Sequence, residues 1–267
     1  MESFGRTDVG IVRSVNQDYI YTNDSHIGPL PNLYIVADGM GGHNAGDYAS
    51  KYTVESFTSK MLQASKENTY SIIRLIEDSL RQINEELIMQ AAENPDLDGM
   101  GTTFVMCSVE EDGNMYVCNI GDSRLYIIDS EIRQITEDHS LVAEMVKNGE
   151  LEKDEARFHP KKNVVTRALS AMGVVTPDFF SLKLEPGAII LLCSDGLSNM
   201  LGDAEIFQIV NEYRDDLTTT AQILVDKAND NGGKDNISVV LVRRDDSGVN
   251  TETFGSFEEF SGISENL

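Results

Sequence analysis

The arrangement of apolar residues limits the fold more than any other feature of this chain, because short strand-like runs occur in clusters separated by pairs of helix-like segments. The first pair of helices is predicted from Asp47 to about Gln63 and from Tyr70 to Ala92. The second pair is predicted from Ala204 to Tyr213 and from Leu217 to Asn229. Strict alternation of one strand with one helix would instead indicate a parallel sheet. The clusters predict two antiparallel sheets that pack together, with helices over their outer faces.

The predicted strands are short apolar runs bounded by turn residues. They are expected near Phe4 to Thr7, Tyr19 to Thr22, Leu33 to Ala37, Thr102 to Val109, Met115 to Ile120, Arg124 to Ile128, Phe180 to Leu184, Ala188 to Cys193 and Ile237 to Val242. The three runs between Thr102 and Ile128 are joined by short turns, which predicts an antiparallel meander. The segment from Thr136 to Leu169 breaks the strand rhythm with a short amphipathic helix and a basic, proline-containing stretch. We interpret it as an inserted flap.

One domain of residues 1–244 is expected, followed by an acidic, flexible tail of residues 245–267. After Arg244 the chain has six acidic residues and no lysine or arginine, a composition typical of a solvated extension. The N-terminal residues MESFGRTDVG contain no basic segment followed by an apolar one, so we expect no secretory signal. The three cysteines (Cys107, Cys118 and Cys193) lie in apolar runs without metal-ligand spacing. These features predict a cytoplasmic protein with buried thiols, and we expect a monomer.

The net charge of −24 excludes several classes of partner. Nucleic acids and anionic membrane surfaces would be repelled along most of such a protein, and no apolar run is long enough to span a bilayer. A phosphorylated substrate would be repelled as well. Any phosphate chemistry therefore requires local positive charge from arginine or from bound metal ions.

The glycine-rich loop VADGMGGHNAG, residues 36–46, follows a predicted strand and indicates a binding site. It lacks the lysine of the phosphate-binding P-loop and does not match the G-x-G-x-x-G pattern of dinucleotide-binding loops. Its acidic residue, Asp38, would repel a phosphate placed directly on it. A carboxylate beside closely approaching backbone carbonyls suits a hard divalent cation, so the loop favours a cation site.

Four further aspartates lie in similar settings beside predicted strands. Asp38 and Asp195 are expected at the C-terminal ends of strands, Asp18 and Asp235 at the starts of strands, and Asp122 in a tight turn. Because the end of one antiparallel strand lies beside the start of the next, all five could gather at one end of the sandwich. An aspartate beside a turn is also common as turn chemistry alone. If the five converge, their mutual repulsion makes bound cations the economical explanation.

These residues lie in motifs that resemble those of the metal-dependent type 2C serine/threonine protein phosphatases (the PPM family), especially the small bacterial single-domain members. The resemblance covers roughly residues 4–243, and the motifs occur in the family's order. They are G-x-V-R-x-x-N-Q-D (Gly10 to Asp18), A-D-G-M-G-G-H (Ala37 to His43), G-M-G-T-T (Gly99 to Thr103), G-D-S-R (Gly121 to Arg124), D-H-S (Asp138 to Ser140), H-P with T-R-A-L (His159 to Leu169), S-D-G-L (Ser194 to Leu197) and G-K-D-N-I-S (Gly233 to Ser238).

The resemblance implies an α+β fold, a four-layer α/β/β/α sandwich, with the flap beside a metal centre at one end of the sheets. It further implies two or three Mn²⁺ or Mg²⁺ ions, held by the motif aspartates and one backbone carbonyl. By position, the implied ligands are Asp38 for both principal ions, Asp195 and Asp235 for the first, the Gly39 carbonyl for the second, Asp18 near the second through water, and Asp122 with Asp195 for a weaker third.

The implied reaction is hydrolysis of phosphoserine and phosphothreonine in proteins by a water activated between two ions, without a phosphoenzyme intermediate. Arg13 is the implied phosphate-binding residue, because a guanidinium offers two parallel donors to phosphate oxygens. We interpret Arg124 as structural. The identity of the general acid stays open between His43 and solvent. In the eukaryotic relatives, the histidine that acts as general acid directly follows the D-G pair, where this chain has Met40. Gln17 stands where many relatives carry a glutamate, which removes one negative charge near the second metal.

The implied partners are phosphorylated proteins, with a bacterial serine/threonine kinase acting in the opposite direction on the same substrates. Two alternatives remain at this point. The first is a catalytically silent module of the same fold that binds phosphoproteins, although its usual sign, the loss of an essential aspartate, is missing. The second is a phosphatase dedicated to a single regulator protein.

Overall fold

The computed structural model describes residues 1–42, 45–64, 72–156, 158–170 and 175–244. The predicted tail, residues 245–267, and the candidate acid His43 lie outside the described residues. The division into a domain of residues 1–244 and a tail therefore stays a prediction.

Two antiparallel sheets form the centre of the molecule. The first sheet has the order β1-β11-β10-β7-β8 and the second the order β2-β3-β5-β6-β9, with the short β4 paired to β3. The strands are β1 (Glu2–Asp8), β2 (Asp18–Asn23), β3 (Leu33–Met40), β4 (Gly101–Thr102), β5 (Phe104–Val109), β6 (Asn114–Ile120), β7 (Arg124–Ile128), β8 (Ile132–Gln134), β9 (Asp178–Lys183), β10 (Ile189–Cys193) and β11 (Ile237–Arg243).

Helices cover the outer face of each sheet. The second sheet is covered by α1 (Ala45–Gln63) and α2 (Ile72–Glu93), while α5 (Asp195–Ser198), α6 (Asp203–Glu212) and α7 (Leu217–Asp230) cover the first. One buried apolar cluster lies under each helical layer, and a third lies between the sheets. This arrangement confirms the predicted α+β sandwich of two antiparallel sheets flanked by helices. Among the described residues, no helix is both long enough and apolar enough to cross a membrane.

The strand β3 shows why its sequence is a continuous apolar run rather than an alternating one. Leu33, Ile35 and Ala37 belong to the cluster under α1 and α2, whereas Tyr34 and Val36 belong to the cluster between the sheets. Because both faces of the strand are buried, residues at odd and even positions are apolar alike. The same strand carries Asp38 out of the core toward one end of the sandwich.

The helix α2 carries an apolar stripe along the face that packs on the second sheet. Ile76, Leu80, Ile83 and Leu87 are buried against the second sheet, and Ile72 packs partly buried beside them. Each such side chain stabilises the fold by roughly 1.5–3 kcal/mol relative to leaving it exposed. The layer thus provides a rigid support behind the strands that carry the aspartates.

The predicted antiparallel meander from Thr102 to Ile128 is wrong. β5 and β6 pair in the second sheet, but β7 pairs with β10 and β8 in the first. The chain crosses between the sheets at Gly121. Its φ of 106° is readily adopted by glycine and strained for other residues. The short turn between β6 and β7 is typical of a hairpin. Turn residues alone do not reveal which sheet receives the next strand.

Several local predictions also change. β8 and α5 were not predicted, because segments of three and four residues carry too little periodicity. Asp38 was placed at the end of its strand, yet it lies inside β3, two residues before Met40. Asp195 does not end a strand either, because it is the first residue of α5. The three cysteines are buried and free as expected, and burial raises the pKa of each thiol.

The segment interpreted as a flap lies between β8 and β9. It contains α3 (Leu141–Lys147) and α4 (Lys153–Ala156), and it returns to the sandwich through bridges between Ser140 and Val165 and between Thr102 and Leu169. Leu169 is fully buried and Thr102 belongs to the strand next to Asp38. The flap is therefore anchored close to the candidate metal centre.

Candidate metal centre

The structure brings the five candidate aspartates together at one end of the sandwich. Asp18 lies directly opposite Asp38 in the β2–β3 pair. The charges of Asp18, Asp122, Asp195 and Asp235 all act on the Asp38 carboxyl, and the side chains of Asp38 and Asp195 are within hydrogen-bonding reach of each other. The expectation that the five aspartates gather at one end of the sandwich is thus met by the geometry. The metal-binding roles of these residues are a separate question.

The backbone of Asp38 is fixed by the G-M-G-T-T motif. Thr103 Oγ1 accepts the Asp38 N–H at 2.9 Å, while the Thr103 N–H and Thr102 Oγ1 donate to the Asp38 carbonyl at 2.9 and 3.0 Å. Thr103 Oγ1 also forms a buried hydrogen bond of 2.7 Å with Ser123 Oγ. Ser123 follows Asp122, so these hydroxyls tie the Asp38 strand to the Asp122 turn.

Gly39 owes its identity to close backbone packing. A Cβ at this position would collide with the carbonyl oxygens of Gly46 and Gln17. Gly39 also donates its N–H to the Gln17 carbonyl at 3.0 Å. The first turn of α1 therefore packs directly on the end of β3 next to Asp38, an approach that only glycine permits.

Asp18 is held from the opposite sheet. Ser194 Oγ donates to Asp18 Oδ2 at 2.7 Å and accepts the Ser238 N–H at 3.0 Å, which links β2 to the ends of β10 and β11. Asp18 Oδ1 is buried and has no hydrogen-bond partner among the described residues. A buried carboxylate oxygen without a partner is energetically costly. In this position it indicates that a cation binds the oxygen and offsets its negative charge.

Asp235 lies at the rim, where it meets the loop that carries Arg13. Arg13 Nη2 donates to Asp235 Oδ2 at 2.8 Å across a partly exposed surface. The neighbouring Asn236 holds this loop in place, since its Oδ1 accepts the Gln17 N–H at 2.9 Å and its Nδ2 donates to the carbonyls of Val9 and Val15. The candidate phosphate-binding arginine is thus positioned at the edge of the acidic cluster.

Asp195 connects the centre to the flap. Asn199 Nδ2 donates to Asp195 Oδ2 at 2.8 Å, and Lys162 Nζ of the flap donates to Asn199 Oδ1 at 3.0 Å. Asp122 lies nearby and its charge acts on Asp38. A cleft of about 830 Å³ opens beside Asp122 and Asp195, between the flap and the α5–α6 region.

Four carboxyl groups of the cluster, those of Asp18, Asp38, Asp122 and Asp195, have raised pKa values. Burial is the main cause for each, and the neighbouring carboxylates add to it. The pKa of Asp18 is raised to about 7 and that of Asp195 to about 6, whereas those of Asp38 and Asp122 are raised well above the usual value. The cluster therefore resists carrying its full negative charge unless positive charge is supplied.

The donor set fits hard divalent cations. Carboxylates and a backbone carbonyl are the oxygen ligands that Mg²⁺ and Mn²⁺ prefer. Among the described residues, no three acidic, histidine or cysteine side chains are already arranged so that they could hold a metal ion. The carboxylates are instead engaged with Ser194, Asn199 and Arg13. The fit consequently rests on the donor chemistry, the raised pKa values and the unpartnered oxygen of Asp18.

Arg124 has the structural role that its motif suggested. Its Nε and Nη2 atoms bind Asp138 at 2.7–3.0 Å, and its Nη1 donates to the Tyr126 hydroxyl at 2.9 Å. These contacts join β7 to the start of the flap. The bidentate pair occupies the donors that a phosphate would need.

Sequence reasoning missed the residues that position the aspartates. Thr103, Ser194, Asn199 and Asn236 each contact an aspartate or the loop that carries one. Three of them stand in quoted motifs, directly beside a candidate aspartate or in G-M-G-T-T. Their types signalled hydrogen bonding, yet the sequence does not indicate which strand each one would reach.

The chain is similar to known proteins over most of its length. A family model described as Protein phosphatase 2C matches residues 11–234. The serine/threonine phosphatase stp of Listeria innocua is 39% identical over 248 residues, which are 90% of this chain and 94% of that protein. A serine/threonine phosphatase structure from S. agalactiae is 37% identical, with a TM-score of 0.83 over 91% of this chain and 98% of that one. The catalytic domain of the phosphatase PstP, solved with 2 manganese ions, is 30% identical, with a TM-score of 0.76 over 90% and 96%.

The raised pKa values predict an unusual dependence of stability on pH in chelator-treated protein. The folded-state pKa values of Asp18 and Asp195, about 7 and about 6, lie above the reference value of 3.8. Protonation therefore stabilises the fold fully below about pH 4, and this stabilisation is lost as the pH rises through 6 to 7. We expect a lower free energy of unfolding at pH 8 than at pH 5 in urea titrations.

Asp18→Asn should reduce that difference, because it removes one buried charge while keeping the shape of the side chain. Asp215→Asn, whose side chain is fully exposed, is the matched control and should leave the difference unchanged. Added Mn²⁺ should restore stability at pH 8. A stability that stays level or rises between pH 5 and pH 8 in the metal-free wild type would contradict the electrostatic account.

Proposed function

We infer that this chain, which belongs to the protein phosphatase 2C family and is a serine/threonine protein phosphatase, hydrolyses phosphoserine and phosphothreonine with metal ions held by its clustered aspartates. The family match and the named relatives support the activity. The observation that carries the inference is the meeting of the other four carboxylates at Asp38, together with the unpartnered oxygen of Asp18 and an arginine at the rim.

We propose two or three Mn²⁺ or Mg²⁺ ions, in line with the family's metal dependence and with the manganese ions of PstP. When bound, such ions supply an activated water as the nucleophile and neutralise the charge of the phosphate. The proposed ligands are Asp38 for both principal ions, Asp195 and Asp235 for the first, the Gly39 carbonyl for the second, Asp18 near the second through water, and Asp122 with Asp195 for a weaker third.

The protein's own groups mainly position and orient the reactants. Thr103 and Ser194 hold Asp38 and Asp18 in place, so that little reorganisation is needed when a substrate binds. Arg13 leaves Asp235 and binds two oxygens of the phosphoryl group with parallel N–H donors. The group that protonates the departing serine or threonine oxygen stays open between His43 and solvent.

The cleft between the flap and the α5–α6 region is the proposed place for the polypeptide around the phosphorylated residue. It begins at Asp122 and Asp195 and is lined by both apolar and charged side chains, which suits an extended peptide. We propose that the enzyme acts on proteins phosphorylated by a serine/threonine kinase, as a cytoplasmic monomer with residues 1–244 as its catalytic domain.

The silent binding module is not favoured, since all five aspartates are present and the named relatives are phosphatases. A phosphatase dedicated to one regulator stays compatible with the same site. Turnover of a panel of phosphopeptides, compared with turnover of single phosphoproteins, separates a broad enzyme from a dedicated one.

Removal of metal or of a central carboxylate should abolish hydrolysis of a generic aryl phosphate. We expect Asp38→Asn and Asp195→Asn to lower kcat by about 100-fold or more, because each removes a charge that holds an ion. Excess chelator should have the same effect on the wild type, and added Mn²⁺ should reverse it. Asp226→Asn, on the exposed face of α7, is the control and should retain full activity.

Persistent turnover by the wild type in excess chelator would refute the metal mechanism. Wild-type protein that is folded, supplied with Mn²⁺ and still inert toward both aryl phosphate and phosphopeptides would refute the proposed activity itself.

Arg13→Ala should lower kcat/KM for a phosphopeptide by about 10- to 100-fold, since a charge-assisted bidentate contact is lost. Arg13→Lys should recover only part of this loss, because an ammonium group cannot donate in parallel to two phosphate oxygens. Inhibition by inorganic phosphate should weaken in both variants. Arg81→Ala, which removes an exposed arginine of α2, is the control, and equal kinetics in all four proteins would exclude Arg13 from phosphate binding.

A further inference from the structure

His139 lies at the point where the flap leaves the sandwich, and it is buried with only 3% of its surface exposed. Both ring nitrogens are engaged. Nδ1 accepts the backbone N–H of Gly121 at 3.0 Å, and Nε2 lies 2.9 Å from Asp178 Oδ2. Because Nδ1 must be unprotonated to accept from Gly121, the ring proton is on Nε2 and is donated to Asp178.

The ring and the backbone of His139 both form hydrogen bonds to the turn that carries Asp122. The His139 N–H donates to the Gly121 carbonyl at 3.0 Å, so both the N–H and the carbonyl of Gly121 are bound by one residue. Asn119 Nδ2 adds a second donor to the same carbonyl at 3.2 Å. Gly121 directly precedes Asp122, so these contacts set the direction in which the Asp122 side chain leaves the backbone.

The opposite side of His139 is tied to the flap. Asp178 accepts from the ring and also from Arg167 Nη1 of the flap's C-terminal part at 2.8 Å. Burial acts to raise the pKa of Asp178, but hydrogen bonds from these two residues outweigh it and lower that pKa. The His139 carbonyl also accepts the Thr166 N–H at 2.8 Å. The N-terminal and C-terminal ends of the flap thus meet at His139.

A buried histidine can serve the core simply by filling space and satisfying its own polar atoms. That role would require no particular partner for either nitrogen. Here each nitrogen has a separate function, because Nδ1 fixes the Asp122 turn and Nε2 fixes the ring against the flap and β9. The two contacts can be removed one at a time, which allows the two roles to be distinguished.

We propose that His139 is a positioning residue for the phosphatase reaction: by holding the Gly121 amide while anchored on Asp178, it orients Asp122 and thereby sets the affinity of the Asp122 site for a divalent cation. The inference rests on the proposed function, in which Asp122 and Asp195 hold the weaker third ion. It assigns to His139 no contact with the substrate or with the reacting atoms. Its effect acts through Asp122 alone.

Two substitutions separate the two nitrogens. In His139→Asn the amide oxygen takes the place of Nδ1, so the Gly121 N–H keeps its acceptor and the contact with Asp178 is lost. In His139→Gln the terminal amide takes the place of Nε2, so Asp178 keeps its donor and Gly121 loses its acceptor. Both variants remove the ring, so loss of core packing affects them alike.

The primary measurement is Mn²⁺ binding to each protein by calorimetric titration, with Asp122→Asn used to identify which binding step belongs to the Asp122 site. We expect His139→Gln to weaken that step by about tenfold or more, and His139→Asn to stay within about threefold of the wild type. The Mn²⁺ concentration that half-activates phosphopeptide hydrolysis should shift in the same order. In the Asp122→Asn background, His139→Gln should cause no further shift.

Asp178→Ala provides a second test that leaves the ring in place. It should weaken the same step, because the ring loses the acceptor that keeps its proton on Nε2 and leaves Nδ1 able to accept from Gly121. The amide oxygen in His139→Asn carries no proton, so that variant does not depend on this anchor. Equal binding by His139→Asn and His139→Gln, or a shift that persists in the Asp122→Asn background, would overturn the inference while the wild type remains an Mn²⁺-dependent phosphatase. Failure of the proposed function is distinguished from this result, since it would appear as an inert wild type.

Discussion

The repulsion among five carboxylates crowded at one end of the sandwich is the interaction on which the rest of this structure depends. Antiparallel pairing brings strand starts and strand ends together, so Asp18 must lie opposite Asp38 once β2 and β3 are in register. The surrounding protein excludes water from part of the cluster, which strengthens the repulsion and raises the pKa values. Such a cluster is costly in a fold, and the divalent cations that we propose would offset the repulsion among its carboxylates.

The scaffold holds the cluster through hydroxyl and amide groups rather than through lysine or arginine alone. Ser194 reaches Asp18 from the other sheet, Thr103 holds the Asp38 backbone, and Asn199 orients Asp195. These groups fix positions without neutralising charge, which leaves the carboxylates able to bind cations. The contact of Arg13 with Asp235 is the exception, and it places the proposed phosphate-binding arginine at the edge of the cluster.

The sequence was sufficient to predict the layers and the residues that would gather, because both follow from local patterns. The stripe on α2 and the doubly buried run of β3 each have one structural solution, and the ordered motifs identified the family. The path of the chain at Gly121 was not predictable, since a three-residue turn does not specify which sheet receives β7. The partners of Ser194 and Asn236 depend on contacts distant in sequence, so their types alone did not reveal their roles. The metal ligands themselves stay a prediction.

The central claim, that this cluster is a binding site for divalent cations, is tested most directly by anomalous scattering from crystals grown with Mn²⁺. We predict manganese peaks among the carboxylates of Asp38, Asp195 and Asp235, with a second ion also within reach of the Gly39 carbonyl. Ordered manganese elsewhere on the protein, with none among these carboxylates, would contradict the account.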